Sequence, residues 1–196
     1  MNTLLESLKA ELEQFGKLND AAHGDYSQRM LNITHETGEF LSVLVRAMSA
    51  RRILEIGTSN GYSTLWLAEA AKELGGSVTT VDFSEFKHSL ASANFKRAAL
   101  SATITLIHED ARLVLERLER DAFDFIFLDS ERNEYPRWWV HIRRVLRPGG
   151  LLVADNAISH SDQMAPFIAL VKSDAGFRTS IVPVGNGEFM AAKESG

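Results

Sequence analysis

The chain has 196 residues, 45% of them hydrophobic, enough for one sizeable core but not for two ordinary domains, so we expect a single domain over 1–196. Its net charge of -5, with both signs mixed along the chain, offers no cationic face for nucleic acid, and the absence of cysteine excludes disulfides, thiolate nucleophiles and cysteine-ligated metals. With no long apolar run and no signal-peptide core, the sequence predicts a cytoplasmic protein without a membrane partner.

Residues 1–48 are predicted to form N-terminal helices. The first helix is indicated by apolar residues at three- and four-residue spacing: Leu4, Leu5, Leu8, Leu12 and Phe15. Its apolar side needs a surface to cover, either the main body or a second copy, so a homodimer is expected. A polar break over 19–28 precedes a second helix over 36–48.

From Arg51 onward, short apolar runs alternate with helical segments, and we expect a Rossmann-like core over 51–196. The predicted strands are 53–56, 78–81, 104–107, 123–128 and 151–154, and the predicted helices are 62–74, 84–99, 111–120, 134–146 and 163–173. This alternation predicts an α/β, doubly wound, mostly parallel sheet with helices on both faces. Two last strands, 177–184 and 188–192, flank Gly185-Asn186-Gly187 and predict an antiparallel C-terminal hairpin.

The residues after each strand are the first candidates for a binding site, because open α/β sheets bind ligands at the carboxyl ends of their strands. The first strand leads into a glycine-containing turn and a helix whose free N–H groups would face a ligand: Glu55-Ile56-Gly57-Thr58-Ser59-Asn60-Gly61-Tyr62-Ser63. The turn lacks the G-x-G-x-x-G spacing. The alternative is a bend that needs only glycine backbone angles.

Acidic residues end the next two strands. Asp82 is placed to accept both hydroxyls of a ribose, unless it serves as the N-terminal charge of the helix near Ser84. Glu109, Asp110 and Ala111 follow the third strand, where a carboxylate can bind the exocyclic amine of adenine and the alanine leaves room for the ring. Either carboxylate could instead cap the next helix.

The fourth and fifth strands both end in a carboxylate, Asp129 in one case and Asp155, followed by Asn156, in the other. Neighbouring strands would bring these oxygens together, and a hard divalent cation relieves the repulsion between carboxylates. The pattern therefore predicts a metal site, with Mg²⁺ the first candidate. The alternative is a pair of helix caps.

Taken together, these motifs resemble the catechol O-methyltransferase-like family, which includes plant caffeoyl-coenzyme A O-methyltransferases and bacterial small-molecule O-methyltransferases. The resemblance covers most of the chain and rests on Asn32-Ile33-Thr34-His35-Glu36-Thr37-Gly38, the turn from Glu55 to Ser63, Leu128-Asp129, Pro148-Gly149-Gly150, Asp155-Asn156 and Val184-Gly185-Asn186-Gly187.

The resemblance implies an enzyme that moves a methyl group from S-adenosylmethionine to a hydroxyl of a small, catechol-like or phenolic molecule. It implies that the methyl donor is surrounded by Ile33, Glu55, Gly57, Ser63, Asp82, Asp110 or Ala111, and Asp129. It also implies that Asp129, Asp155 and Asn156 hold the divalent cation.

One position departs from the family, which places a lysine three residues after the first metal-binding aspartate, where this chain has Arg132. Arginine cannot deprotonate at neutral pH, so Arg132 cannot be the base, although it can stabilise an anionic oxygen or bind a carboxylate. Asp129 and Arg132 are the catalytic candidates. The proton could pass to water, His35 or His160.

Aromatic residues follow Asp129 as they do in the family, and Tyr135, Trp138 and Trp139 either shape an apolar slot beside the metal or pack in the core.

Three alternatives stay open at this point. The acceptor could be a nitrogen, a carboxylate or a transfer-RNA nucleoside, the last disfavoured by the acidic balance. The chain could bind S-adenosylmethionine without turnover, or it could be a nicotinamide-dependent oxidoreductase, which the glycine spacing disfavours.

Overall fold

The computed structural model describes residues 3–195, which form seven α-helices and seven strands. The helices are α1 (Thr3–Ala22), α2 (His35–Ala47), α3 (Tyr62–Glu73), α4 (Glu85–Arg97), α5 (Ala111–Arg117), α6 (Tyr135–Val145) and α7 (Ser161–Lys172). The strands are β1 (Arg52–Ile56), β2 (Ser77–Asp82), β3 (Ile104–His108), β4 (Phe123–Leu128), β5 (Leu146–Ala154), β6 (Phe177–Val182) and β7 (Glu188–Lys193). Short 3₁₀ turns lie at Tyr26–Gln28 and Arg132–Glu134.

All seven strands belong to one sheet in the order β3-β2-β1-β4-β5-β7-β6. The first five strands pair in parallel, whereas β7 runs antiparallel to both β5 and β6. The predicted Rossmann-like sheet with a C-terminal antiparallel hairpin is therefore confirmed. The strand order reverses between β1 and β4, which opens a crevice at their carboxyl ends.

Successive side chains of each strand point to opposite faces of the sheet and pack into two separate apolar layers. Phe125 and Phe127 of β4 face the layer built with α1, α2 and α3, while Ile126 and Leu128 face the layer built with α5, α6 and α7. Because β4 is buried on both faces, it has the continuous apolar sequence typical of a central parallel strand.

Helix α1 packs on its own chain through Leu5, Leu8 and Leu12, all of which are buried. Lys9 is buried beside them, where its Nζ lies 2.6 Å from Glu69 Oε2 and 3.7 Å from the centre of a Trp66 ring. These contacts place the Leu5, Leu8 and Leu12 side of α1 on the main body, one of the two surfaces expected for it.

The largest differences from the predicted element boundaries are at the end of α1 and the start of β5. Helix α1 continues to Ala22 through a polar stretch, because the Asp20 side chain at its end binds the backbone N–H groups of Met30 and Leu31. Strand β5 starts at Leu146, which pairs with Phe123 of β4; the register then shifts, with Gly149 at a φ of +71°, before Leu151 pairs with Phe125. Over residues 3–195, no helix is long and apolar enough to cross a membrane.

Candidate active site

A cavity of about 790 Å³ lies at the carboxyl ends of the parallel strands. Eight predicted site residues line it: Gly57, Asp82, Asp110, Ala111, Asp129, Arg132, Asp155 and Asn156. Three others, Ile33, Glu55 and Ser63, are buried and do not line it. The sheet thus brings the predicted ribose, adenine and metal residues into one space of a size suited to a small molecule.

The turn after β1 is held by backbone bonds to both neighbouring strands. Gly57 N donates to Val81 O at 2.9 Å, and Asp129 N donates to Ile56 O at 3.0 Å. Gly57 has a φ of +107°, and a Cβ on it would lie 2.0 Å from the carbonyl oxygen of Asp129. Glycine is required here because two strand ends approach closely, rather than because a ligand would touch a side chain.

Glu55 lies at the centre of a buried group of hydroxyls instead of in the cavity. Its Oε1 accepts a hydrogen bond from Ser63 and its Oε2 accepts from Thr64 and Thr80. Burial raises the pKa of Glu55 to about 7 despite these bonds. Ser63 therefore orients Glu55, and their predicted contact with the methyl donor stays a prediction.

Asp82 fixes the loops on both sides of the predicted ribose position. Its Oδ2 accepts from Ser59 N at 2.8 Å and its Oδ1 accepts from Ser84 N at 2.9 Å. Each carboxylate oxygen has a second lone pair that remains able to accept from a ligand hydroxyl. Ser84, and not Asp82, is the residue that caps α4, through a bond from Lys87 N.

Asp110 has the capping role that the sequence left open. Its Oδ1 accepts from Arg112 N at 2.9 Å and from Leu113 N at 3.3 Å at the start of α5. Asp110 and Ala111 nevertheless line the cavity, so capping does not exclude a contact with an adenine ring.

The ends of β4 and β5 bring Asp129 and Asp155 together, because the residues before them, Leu128 and Ala154, are paired in register. Burial, then the charges of Asp155 and Glu55, raise the pKa of Asp129 well above its usual value. Burial likewise raises the pKa of Asp155. Such carboxylates gain from a nearby cation.

Asn156 follows with a positive φ of 69°, a conformation that asparagine tolerates better than most residues. Its Oδ1 accepts from Arg132 Nη1 at 3.0 Å, while Arg132 Nε donates to Gln163 Oε1 at 2.7 Å. Arg132 therefore lies directly at the predicted metal residues.

Glu188, at the start of β7, is a residue of this site that the sequence analysis missed. It is fully buried, its Oε1 accepts a hydrogen bond from Thr37 Oγ1 at 3.0 Å, and it lies close to Asp155. Burial and the charge of Asp155 raise the pKa of Glu188 to about 9, so at neutral pH this carboxyl is protonated and can donate to Asp155. An acidic residue directly before the apolar run 189–192 was the available signal.

Only one of the two histidines considered as proton acceptors lies in the cavity. His160 lines it, and its Nδ1 is 2.9 Å from Ser159 Oγ. His35 lies elsewhere, with its ring centre 5.1 Å from that of Trp66.

The three aromatic residues considered for an apolar slot also divide between the cavity and the core. Trp138 lines the cavity, whereas Tyr135 and Trp139 pack around Phe167 in the core. The Tyr135 hydroxyl accepts from Ser130 N at 2.7 Å and so fixes the loop after Asp129.

Within residues 3–195, no three side chains of the histidine, cysteine, aspartate and glutamate types lie close enough together to hold a metal. A cation at the ends of β4 and β5 would therefore depend on the amide oxygen of Asn156 as its third protein ligand. Two carboxylates and an amide oxygen are hard donors, and they fit Mg²⁺.

This chain matches the model of the O-methyltransferase family over residues 6–194. A catechol O-methyltransferase of Niastella koreensis is 33% identical to this chain; the match covers 65% of this chain and 59% of the relative. A caffeoyl-CoA O-methyltransferase of Populus kitakamiensis is 29% identical, and that match covers 76% of this chain and 65% of the relative. The chain spans less than two thirds of either relative. The solved O-methyltransferase of Bacillus cereus, in complex with SAH, superposes with a TM-score of 0.80 at 27% identity over 99% of this chain and 92% of that one.

The strand order is that of a Rossmann-like fold, with the cavity at the switch point of the sheet. The chain belongs to the O-methyltransferase family, as the match over nearly its whole length shows. The expected family is therefore confirmed, and the oxidoreductase alternative is excluded.

Proposed function

We propose that this protein transfers a methyl group from S-adenosylmethionine to a hydroxyl oxygen of a small, catechol-like or phenolic molecule, with Mg²⁺ held by Asp129, Asp155 and Asn156. The observation that carries the proposal is the juxtaposition of these three oxygen donors with Asp82 around one cavity. The SAH complex of the Bacillus cereus relative supports the choice of methyl donor.

In this proposal the two ends of the cavity have different tasks. Asp82 accepts the ribose hydroxyls, Asp110 and Ala111 flank the adenine, and the backbone at Gly57 lies against the donor. The opposite end, with Asp129 and Trp138, receives the acceptor. Positioning of donor and acceptor is the main contribution expected of the protein, because methyl transfer is a direct displacement.

A bound divalent cation would supply positive charge that favours the ionised form of the acceptor hydroxyl. Arg132 cannot take the proton at neutral pH, and its charge instead favours an anionic oxygen. We propose His160 as the proton acceptor, since it is the candidate imidazole that lines the cavity.

Turnover on a panel of dihydroxy aromatic compounds, with and without EDTA, tests the proposed function. We expect EDTA to abolish wild-type turnover, and Asp155→Ala to lower kcat about a hundredfold or more with little change in donor affinity. S-adenosylhomocysteine titration of both proteins checks that affinity. Equal methylation of an acceptor in EDTA would contradict the metal-assisted mechanism.

A further inference from the structure

Arg132 makes two side-chain hydrogen bonds that fix its guanidinium at the ends of β4 and β5. Its Nε donates to Gln163 Oε1 on α7 at 2.7 Å, and its Nη1 donates to Asn156 Oδ1 at 3.0 Å. The first bond acts as a tether, because it ties the side chain to a helix that does not carry the proposed metal ligands.

The second bond uses the one oxygen that the Asn156 side chain can offer to a cation. The Asn156 amide nitrogen points to Ser159 Oγ at 3.4 Å, so the oxygen and not the nitrogen faces Arg132. A guanidinium and a divalent cation on the same oxygen are like charges a few ångströms apart in a partly buried place, and they repel strongly.

Arg132 also acts on the two carboxylates that would be the other ligands. Its guanidinium lies with Asp129 and Asp155 around the same cavity, so its positive charge supplies part of the attraction that a cation would supply. A metal that displaced it would have to replace this interaction as well as the bond to Asn156.

We propose that Arg132 is a built-in competitor of the divalent cation: guanidinium and metal use the same amide oxygen, so Arg132 must leave Asn156 before Asp129, Asp155 and Asn156 can act together as ligands. The inference rests on the metal site of the proposed function. It makes Arg132 a determinant of metal affinity, distinct from any role toward the acceptor.

The test is direct binding of Mn²⁺ alone, followed by the loss of the free Mn²⁺ signal in electron paramagnetic resonance. Arg132→Met should bind Mn²⁺ about tenfold or more tightly than the wild type, because a repelling charge is removed. Gln163→Ala, an exposed and charge-neutral change that cuts only the tether, should shift affinity in the same direction by a smaller factor. Arg137→Met is the matched control, since Arg137 is nearby in the chain but pairs with Glu134 and not with Asn156.

The outcomes separate this inference from the metal proposal. If the wild type and Arg132→Met bind Mn²⁺ equally well, and Asp155→Ala abolishes binding, the metal site stands and the competition is wrong. If Arg137→Met tightens binding as much as Arg132→Met, the effect is one of net charge and the inference is again overturned. If no variant binds Mn²⁺ at millimolar concentration, both proposals fail.

Discussion

At the scale of single residues, the carboxylates of this protein differ in task because their surroundings differ. Asp82 binds two backbone N–H groups and keeps access to the cavity, Glu55 is enclosed by hydroxyls, and Asp129 lies among other acidic groups. All three look alike in sequence, since each stands at or near the end of an apolar strand. Burial and hydrogen-bond partners separate them, and neither can be derived from strand position alone.

Asp82→Ala should weaken the binding of S-adenosylhomocysteine by roughly 1–3 kcal/mol, because ligand hydroxyls would lose a charged acceptor and two backbone N–H groups would lose theirs. Asp82→Asn, which keeps one acceptor oxygen, should lie between the wild type and the alanine variant. Isothermal titration calorimetry measures the affinities, and thermal melts check folding. Unchanged affinity in a folded alanine variant would contradict the ribose assignment.

Glu55 should make stability fall as pH rises. Its pKa of about 7 in the folded protein exceeds the ordinary value of 4.5, so the folded state holds this proton more tightly than the unfolded state does. The stabilising contribution is complete below about pH 4.5 and is lost as pH rises through 7. Glu55→Gln lacks this dependence.

Urea unfolding of the wild type and Glu55→Gln at pH 5 and pH 8 measures the effect. The wild type should lose about 2–3 kcal/mol relative to the variant over this range. The exposed Glu119→Gln serves as the control for loss of one negative charge. A constant difference between wild type and Glu55→Gln would show that Glu55 titrates in its ordinary range.

At the scale of elements, the order of strands and helices was predictable because each half-buried or fully buried element has its own apolar period. The boundaries of α1 and β5 were not, since they depend on Asp20 and on the pairing of Leu146 with Phe123 across the sheet. The residues of the candidate site were likewise predictable only in part. Residues placed by strand ends were found in the cavity, whereas Glu188 and the contact between Arg132 and Asn156 depend on elements distant in sequence.

Gly57 joins two elements, and a substitution there should separate them. In Gly57→Ala, the added Cβ would meet the Asp129 carbonyl at 2.0 Å and push the ends of β1 and β4 apart. We expect loss of S-adenosylhomocysteine binding together with a loss of at least about 3 kcal/mol in stability.

Gly75→Ala is the matched control for Gly57→Ala. Gly75 also has a positive φ, of 68°, but nothing lies within 4 Å of the position of its Cβ. This variant should cost about 1 kcal/mol and bind S-adenosylhomocysteine normally. If the two variants behave alike in urea unfolding and calorimetry, backbone conformation and not the close approach of the strands decides the effect.

At the scale of the whole molecule, one cavity forms at the switch point of the sheet, where the carboxyl ends of several strands meet. The N-terminal segment completes it, because Ser59 Oγ donates to Met30 O at 2.7 Å and Asp20 holds the same loop from the end of α1. The segments that line the cavity come from distant parts of the chain, since Tyr26 lies in the N-terminal region and Trp138 on α6. If the cavity binds the acceptor as we propose, acceptor choice depends on the assembled fold.

The homodimer remains a prediction, but the residues of α1 that could form its interface differ from those that first suggested it. Leu5, Leu8 and Leu12 are covered by the chain itself, but Leu4, Phe15 and Leu18 are exposed and share one stripe of α1 at helical spacing. If α1 mediates association, Leu18→Glu should convert a dimer to a monomer at micromolar concentration, with far-UV circular dichroism that shows the variant is still folded. Size-exclusion chromatography with light scattering measures the mass of each variant. Val140→Glu on α6 is the control, because it places the same charge on an exposed apolar residue in the other helical layer. A wild-type monomer, or a dimer that survives Leu18→Glu, would show that this stripe of α1 is not an interface.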